Sequence, residues 1–146
     1  MNKIDIIDRS LSTAEQKQMD DGFDQLALEE GGAFESSEKI SFVAMDGDDF
    51  IGGAVGLAYK NGDNYSGWFF ISDLFVEKDR RSQGLGALLL NALEKKIQGI
   101  GLKHACLWTS GEKSIKFYMR HGYHQFAELE NWYSDGSNRV GLRKDF

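Results

Sequence analysis

The chain has 146 residues, of which 41% are hydrophobic, with ten Phe and three Trp, enough apolar material for one packed domain over residues 1–146. Its formal net charge of −6 argues against nucleic acid as a main partner, because phosphate binding wants a basic face. A single cysteine excludes an internal disulfide framework, and that cysteine with three histidines shows no metal-ligand spacing.

In chain order, "KIDIID" alternates apolar and polar residues over Lys3–Asp8 and predicts a short strand. No long apolar run follows Lys3, so no signal peptide is read, and no stretch reaches the length of a membrane span. A cytoplasmic location fits. Ser12 and Glu15 have capping-box spacing, and Met19, Phe23 and Leu26 form one apolar face of a first helix, ended by Gly31 and Gly32. "KISFVAMD" and "DFIGGAVGLAY" predict two strands joined by a turn at Asp46-Gly47. Asn61-Gly62 marks a second hairpin turn, into the long apolar strand "YSGWFFISDLFV".

A Gly-rich segment then leads into a helix from about Gly86 to Ile100, with Leu89, Leu93, Ile97 and Ile100 on its buried side. "HACLW" predicts a buried strand in which Cys106 reads as a small hydrophobe rather than a nucleophile. "EKSIKFYMRH" predicts a helix stopped by Gly122. "YHQFAEL" and "NRVGLRKD" are the last two strands, joined by the turn "SDGSN". The order is strand, helix, three strands, helix, strand, helix, two strands. That is an α/β chain with a mixed sheet: hairpins first, then a crossover unit.

The segment "DRRSQGLGALLL" raises the chemical question. Its glycines fall where a helix begins, and a helix N-terminus exposes unpaired N–H groups and partial positive charge. Gly84 and Gly86 carry no Cβ, so a phosphate could approach the backbone, with Lys78, Arg80 and Arg81 near. A P-loop lysine is missing, and Leu89 stands where a dinucleotide fingerprint would have its third glycine. On these residues alone, an anion site and a tight turn with a solvated rim are equal readings.

"RSQGLG" matches the R/Q-x-x-G-x-G/A motif of the GNAT superfamily of N-acetyltransferases, which holds the pyrophosphate of acetyl-CoA. The stretch from Ile71 to Glu94 resembles that family's fourth strand, CoA loop and following helix, and "FYMRHGY" resembles its tyrosine-bearing helix and next strand. The resemblance covers nearly the whole chain. It implies an α/β fold with a mixed, mostly antiparallel central sheet of six to seven strands flanked by three to four helices. It also implies a fourth strand that bulges and parts from the fifth, with pantetheine in the gap.

By position, backbone groups of Leu74, Phe75 and Val76 would bind pantetheine, the Val76 N–H polarising the thioester carbonyl. The pyrophosphate would meet backbone N–H groups of Arg81, Ser82, Gln83, Gly84, Leu85 and Gly86, with Gln83 and the arginines lining the site. Tyr118 matches the tyrosine beside the acetyl sulfur. A phenol of pKa about 10 is not itself ionised where a thiol of pKa about 8.5 begins to be, so Tyr118 could hydrogen-bond or protonate the departing thiolate. Two positions depart from the family. Gly111 stands where many relatives have Asn, and Ser114 where they often have Ala and could supply a hydroxyl.

A general base is unassigned. Phe70 occupies a position where some relatives carry Glu, Asp73 and Glu77 are nearby carboxylates, and proton loss through water is equally open. Acetyl-CoA is the implied co-substrate, with no metal. The partner is a small-molecule or peptide amine, not nucleic acid or membrane, and a homodimer is left open. The acceptor would lie among the first helix, the loop after it and the last two strands, which carry Glu29, Glu30, Glu35, Trp132 and Tyr133, with Glu38 close by in sequence. Aromatics and carboxylates suit a cationic amine, and a solvated surface explains them equally. The rival reading is a non-catalytic acyl-CoA sensor or partner-docking module on the same fold.

Overall fold

The computed structural model describes residues 3–32 and 35–146, and the chain divides into two compact units at Glu35 and Ser36. Ala33 and Phe34, in the loop after the first helix, and Met1 and Asn2 lie outside the described residues.

In the first unit the strand expected over Lys3–Asp8 does not form, and these residues join no ladder. Alternation supplies two faces, but strand backbone groups also need a partner, which a six-residue pattern does not specify. Helix α1, Thr13–Glu29, forms as its cap predicts. The Ser12 hydroxyl accepts from the Glu15 N–H, and the Glu15 carboxylate accepts from the Ser12 N–H at 2.8 Å. Arg9 grips the same carboxylate through both terminal nitrogens, at 2.7 and 2.8 Å, and holds Glu15 down at a pKa of about 2. Gly31, at φ 77°, takes the left-handed position that stops the helix.

The second unit carries β1 (Ser36–Asp46), β2 (Asp49–Asn61), β3 (Asn64–Val76), a 3-10 turn (Lys78–Arg80), α2 (Leu85–Gly99), β4 (His104–Thr109), α3 (Glu112–Arg120), β5 (His124–Leu129) and β6 (Arg139–Asp145). The six strands form one sheet in the order β1-β2-β3-β4-β6-β5, parallel only between β3 and β4. With six strands, three helices and a mixed, mostly antiparallel sheet, the fold falls within the expected class. β3 is the strand counted fourth in the sequence. Both hairpin turns use glycine at positive φ, Gly47 at 59° and Gly62 at 60°.

The core lies between α2 and one sheet face. Leu89, Leu90, Leu93 and Ile97 pack on Phe69, Ile71, Ala54 and Ala58. Each large side chain so buried stabilises the fold by roughly 2 kcal/mol. Phe69 fits because Gly56 has no side chain: a Cβ there would lie 2.2 Å from the Phe69 ring. Glu94 is the buried carboxylate on α2. It accepts from the Tyr123 hydroxyl at 2.8 Å and pairs with Lys144 Nζ at 2.9 Å. This ties α2 to the segment entering β5 and to the end of β6. Among the described residues no helix is long and apolar enough to cross a membrane.

Candidate active site

The sheet opens at one place. The parallel β3–β4 ladder runs only from Trp68↔His104 to Phe70↔Cys106. Beyond it the strands part around a cavity of about 150 Å³, walled by Asp73, Leu74, Trp108, Thr109, Ser114 and Tyr118 among others. Just past the last pair, β3 bulges. Gly56 faces Ile71 and Val55 faces Asp73, so Ser72 is the extra residue, and its hydroxyl donates to the Val55 carbonyl at 3.1 Å.

The Glu77 N–H donates to the Ile51 carbonyl at 2.8 Å. Alternation along the strand therefore turns the backbone polar groups of Phe75 toward β2, and those of Leu74 and Val76 toward the open side. Phe75 thus separates from the two residues grouped with it in sequence, while the polar groups of Leu74 and the Val76 N–H can meet a ligand, the Val76 carbonyl being taken by Arg81.

The loop after β3 turns through Ser82 at φ 64° and Gly84 at φ 80° into α2. The Leu88 N–H bonds back to the Gly84 carbonyl at 3.1 Å, and no side chain caps the helix. The N–H groups of Leu85, Gly86 and Ala87 are left pointing out of its positive end. A Cβ on Gly84 would meet no atom within 4 Å, whereas one on Gly86 would touch the Phe117 ring at 3.4 Å. Gly84 therefore supplies the left-handed turn beside open space, and Gly86 supplies close packing against α3.

A cavity of about 490 Å³ lies over this helix end. Val76, Arg80, Arg81, Ser82 and the Gly84–Ala87 turn line one side, and Lys113, Phe117, Arg120 and His121 of the α3 region line the other. Gln83 is not among the lining residues. Arg81 Nε donates to the Val76 carbonyl at 3.1 Å and ties the loop to the strand end. Arg80 is paired with Asp46 at 2.7 Å. Among the described residues no carboxylate pairs with Arg81, Lys113 or Arg120. Uncompensated cations and free N–H groups give this cavity an electrostatic character that suits an anion. The contributions of Lys113, Phe117 and Arg120 were not anticipated. Their signal was the helical spacing of 113, 117 and 120 along one face of α3.

Tyr118 joins the two cavities by position, following Phe117 on α3 and walling the gap. Its ring packs edge-to-face on Phe117 at 5.2 Å and on Tyr123 at 5.4 Å. Burial pushes its pKa up to about 12, and its hydroxyl has no hydrogen-bond partner among the described residues. It is a protonated donor over the ordinary pH range. Ser114 Oγ lies 2.8 Å from Thr109 Oγ1, where the end of β4 meets the start of α3. Gly111 precedes α3 at φ 90°, a conformation suited to glycine.

Of the other sequence candidates, Asp73 lines the gap and Glu77 does not. Burial raises the Cys106 thiol, which lowers its thiolate fraction and argues against a nucleophile. Glu38 accepts from the Tyr65 hydroxyl and lies 3.9 Å from Lys60, toward the other end of β3. Trp132 lies over Arg139, and Tyr133 is tied into the β5–β6 turn through Ser137. Glu29, Glu30 and Glu35 belong to the first unit.

A family model described as the acetyltransferase (GNAT) family matches residues 5–123. The N-alpha-acetyltransferase 30 of Schizosaccharomyces pombe is 29% identical over 103 residues, which cover 68% of this chain and 67% of that protein. An acetyltransferase structure from Bacillus cereus superposes with a TM-score of 0.77 at 20% identity, covering 94% of this chain and 96% of its own. An aminoglycoside 6'-N-acetyltransferase solved with coenzyme A gives 0.65 at 19% identity, covering 92% of each chain. These two structural likenesses speak for the fold.

Proposed function

The chain belongs to the acetyltransferase (GNAT) family, and on that premise we propose that it moves an acetyl group from acetyl-CoA to a primary amine by direct attack, with both substrates bound. The observation that carries this reading is the parted β3–β4 pair, with the unpartnered Tyr118 hydroxyl on its wall beside the cationic end of α2.

The fit to acetyl-CoA rests on that cradle. Backbone N–H groups of Leu85, Gly86 and Ala87, with Arg81, Lys113 and Arg120, suit the phosphates, and the open-side groups of Leu74 and Val76 suit the pantetheine amides. Ser82, on the cavity over α2, and Ser114, on the gap, are proposed as further polar contacts. When bound, acetyl-CoA supplies an activated thioester. The Val76 N–H, on the open side of β3, is assigned the polarising of its carbonyl. The Tyr118 hydroxyl gives its proton to the departing sulfur as the new C–N bond forms and the C–S bond breaks, and the proton shed by the newly acylated nitrogen returns to the Tyr118 oxygen through water. Asp73 attracts the ammonium form of the amine into the gap, and the amine loses its proton to water before it attacks. Holding amine and thioester together removes the entropic cost of their meeting.

The test is thiol release from acetyl-CoA across a panel of amines. Turnover with one class of amine is expected. Acetyl-CoA binding without turnover across a broad panel would favour the non-catalytic module instead.

A further inference from the structure

Two arginines of β6 face the same side of the sheet and are used differently. Arg143 lies over Trp68 at 4.6 Å and pairs with Asp145 at 2.7 Å. Arg139 lies between two indoles, its guanidinium carbon 5.0 Å from the Trp108 ring and 5.1 Å from the Trp132 ring. The Nε of each arginine is buried without a partner, but no carboxylate pairs with Arg139 among the described residues.

Carboxylates are close in sequence, yet two of them are committed elsewhere. Glu128 accepts from Asn138 Nδ2 at 2.9 Å, and Asp135 accepts from the Ser137 N–H and hydroxyl. Stacking on flat rings orients a guanidinium without using its N–H groups and leaves the planar fork free for a planar anion.

Trp108 connects this arginine to the chemistry. It walls the β3–β4 gap together with Asp73 and Tyr118. Asp73 and Trp108 thus share one cavity wall, and Trp108 also carries the guanidinium of Arg139, which stands beside that wall rather than among its lining residues.

We infer that Arg139, held between Trp108 and Trp132, binds a carboxylate on the acceptor, so that the substrate is an amine that also carries a carboxylate. Asp73 takes the ammonium end and Arg139 the carboxylate end. The carboxylate is either the α-carboxylate of a free amino acid or an acidic side chain at a peptide N-terminus. This inference rests on the transferase reading above.

The experiment compares four acceptors: alanine, alaninamide, aspartyl-alaninamide and asparaginyl-alaninamide. The expected result is a preference in kcat/KM of roughly ten- to a hundredfold for the carboxylate member of one pair, the scale of a charge-assisted bidentate contact. The alanine pair reports the α-carboxylate source, and the dipeptide pair reports the side-chain source. Arg139→Gln should abolish the preference, lowering kcat/KM for the carboxylate acceptor, mainly through KM, at least tenfold more than for its amide partner. Arg139→Lys should recover only part of it, because an ammonium lacks the fork.

Trp108 and Trp132 supply a readout independent of turnover. The preferred carboxylate should change the tryptophan fluorescence of the wild type and not that of Arg139→Gln, with melting curves confirming that both are folded. Equal rates within both pairs, or an Arg139→Gln loss of the same size for amide and carboxylate, would overturn the assignment and leave the transferase reading intact. Failure of every amine in the broad panel would remove both.

Discussion

Replacing Tyr118 by Phe removes one oxygen and nothing else. The hydroxyl has no hydrogen-bond partner among the described residues, and the ring contacts to Phe117 and Tyr123 survive in Phe. No internal hydrogen bond is lost, and the oxygen removed faces the gap cavity rather than the packed core. Stability should stay within about 1 kcal/mol of wild type or rise slightly. Activity should respond very differently. General acid catalysis typically contributes roughly 10²–10⁴-fold, so kcat should fall on that scale with little change in the KM for acetyl-CoA. Because burial raises the Tyr118 pKa to about 12, wild-type single-turnover rates should not lose this proton between pH 9 and 11, where a phenol of ordinary pKa, about 10, would titrate.

The same shift predicts an effect on alkaline stability. The folded pKa lies above the unfolded one. The contribution to stability is therefore fully present below about pH 10 and is lost as pH rises through about 12. The Phe variant lacks that dependence, so its alkaline unfolding limb should be shallower. Rapid-quench single turnover, read beside a melting curve, provides the main test. A folded Phe variant with unchanged acetyl transfer would exclude Tyr118 as the acid.

Three further outcomes are expected. Gly84→Val forces a β-branched residue to φ 80° and fills open space beside the free N–H groups of α2, so the fold should lose roughly 2 kcal/mol while acetyl-CoA affinity falls severely; wild-type affinity by calorimetric titration in a folded variant would contradict this. Gly56→Ala places a Cβ 2.2 Å from the Phe69 ring and 2.7 Å from the Phe70 carbonyl, and should cost about 3 kcal/mol or abolish soluble expression; a wild-type melting temperature would refute that packing. Glu94→Ala strands the Lys144 ammonium and the Tyr123 hydroxyl, and should cost about 3 kcal/mol by denaturant titration, with Glu94→Gln intermediate; equal stability of all three chains would show that the network contributes nothing.

Much of the architecture is local, and the sequence alone determined it. The cap at Ser12, the turns at Gly47 and Gly62, the apolar stripe of α2 and the glycines at its start each follow from a few neighbouring residues whose conformational preferences agree. The loop motif, with the residues around it, was legible for the same reason: a helix end and a left-handed glycine need no distant partner. What distant pairing controls was not legible. The alternation at Lys3–Asp8 predicts a strand, yet no ladder receives it. Phe75 reads like Leu74 and Val76 until the Glu77–Ile51 bond sets which backbone groups face β2. Lys113 and Arg120 reach the cavity over the start of α2 only because α3 closes one side of it. The place where β3 and β4 part, and the position of Arg139 between two indoles from different segments, depend on contacts between residues far apart in the chain. Periodicity reports which face of an element is apolar. Which element that face meets, and where a ladder stops, is set by the packing of the whole sheet.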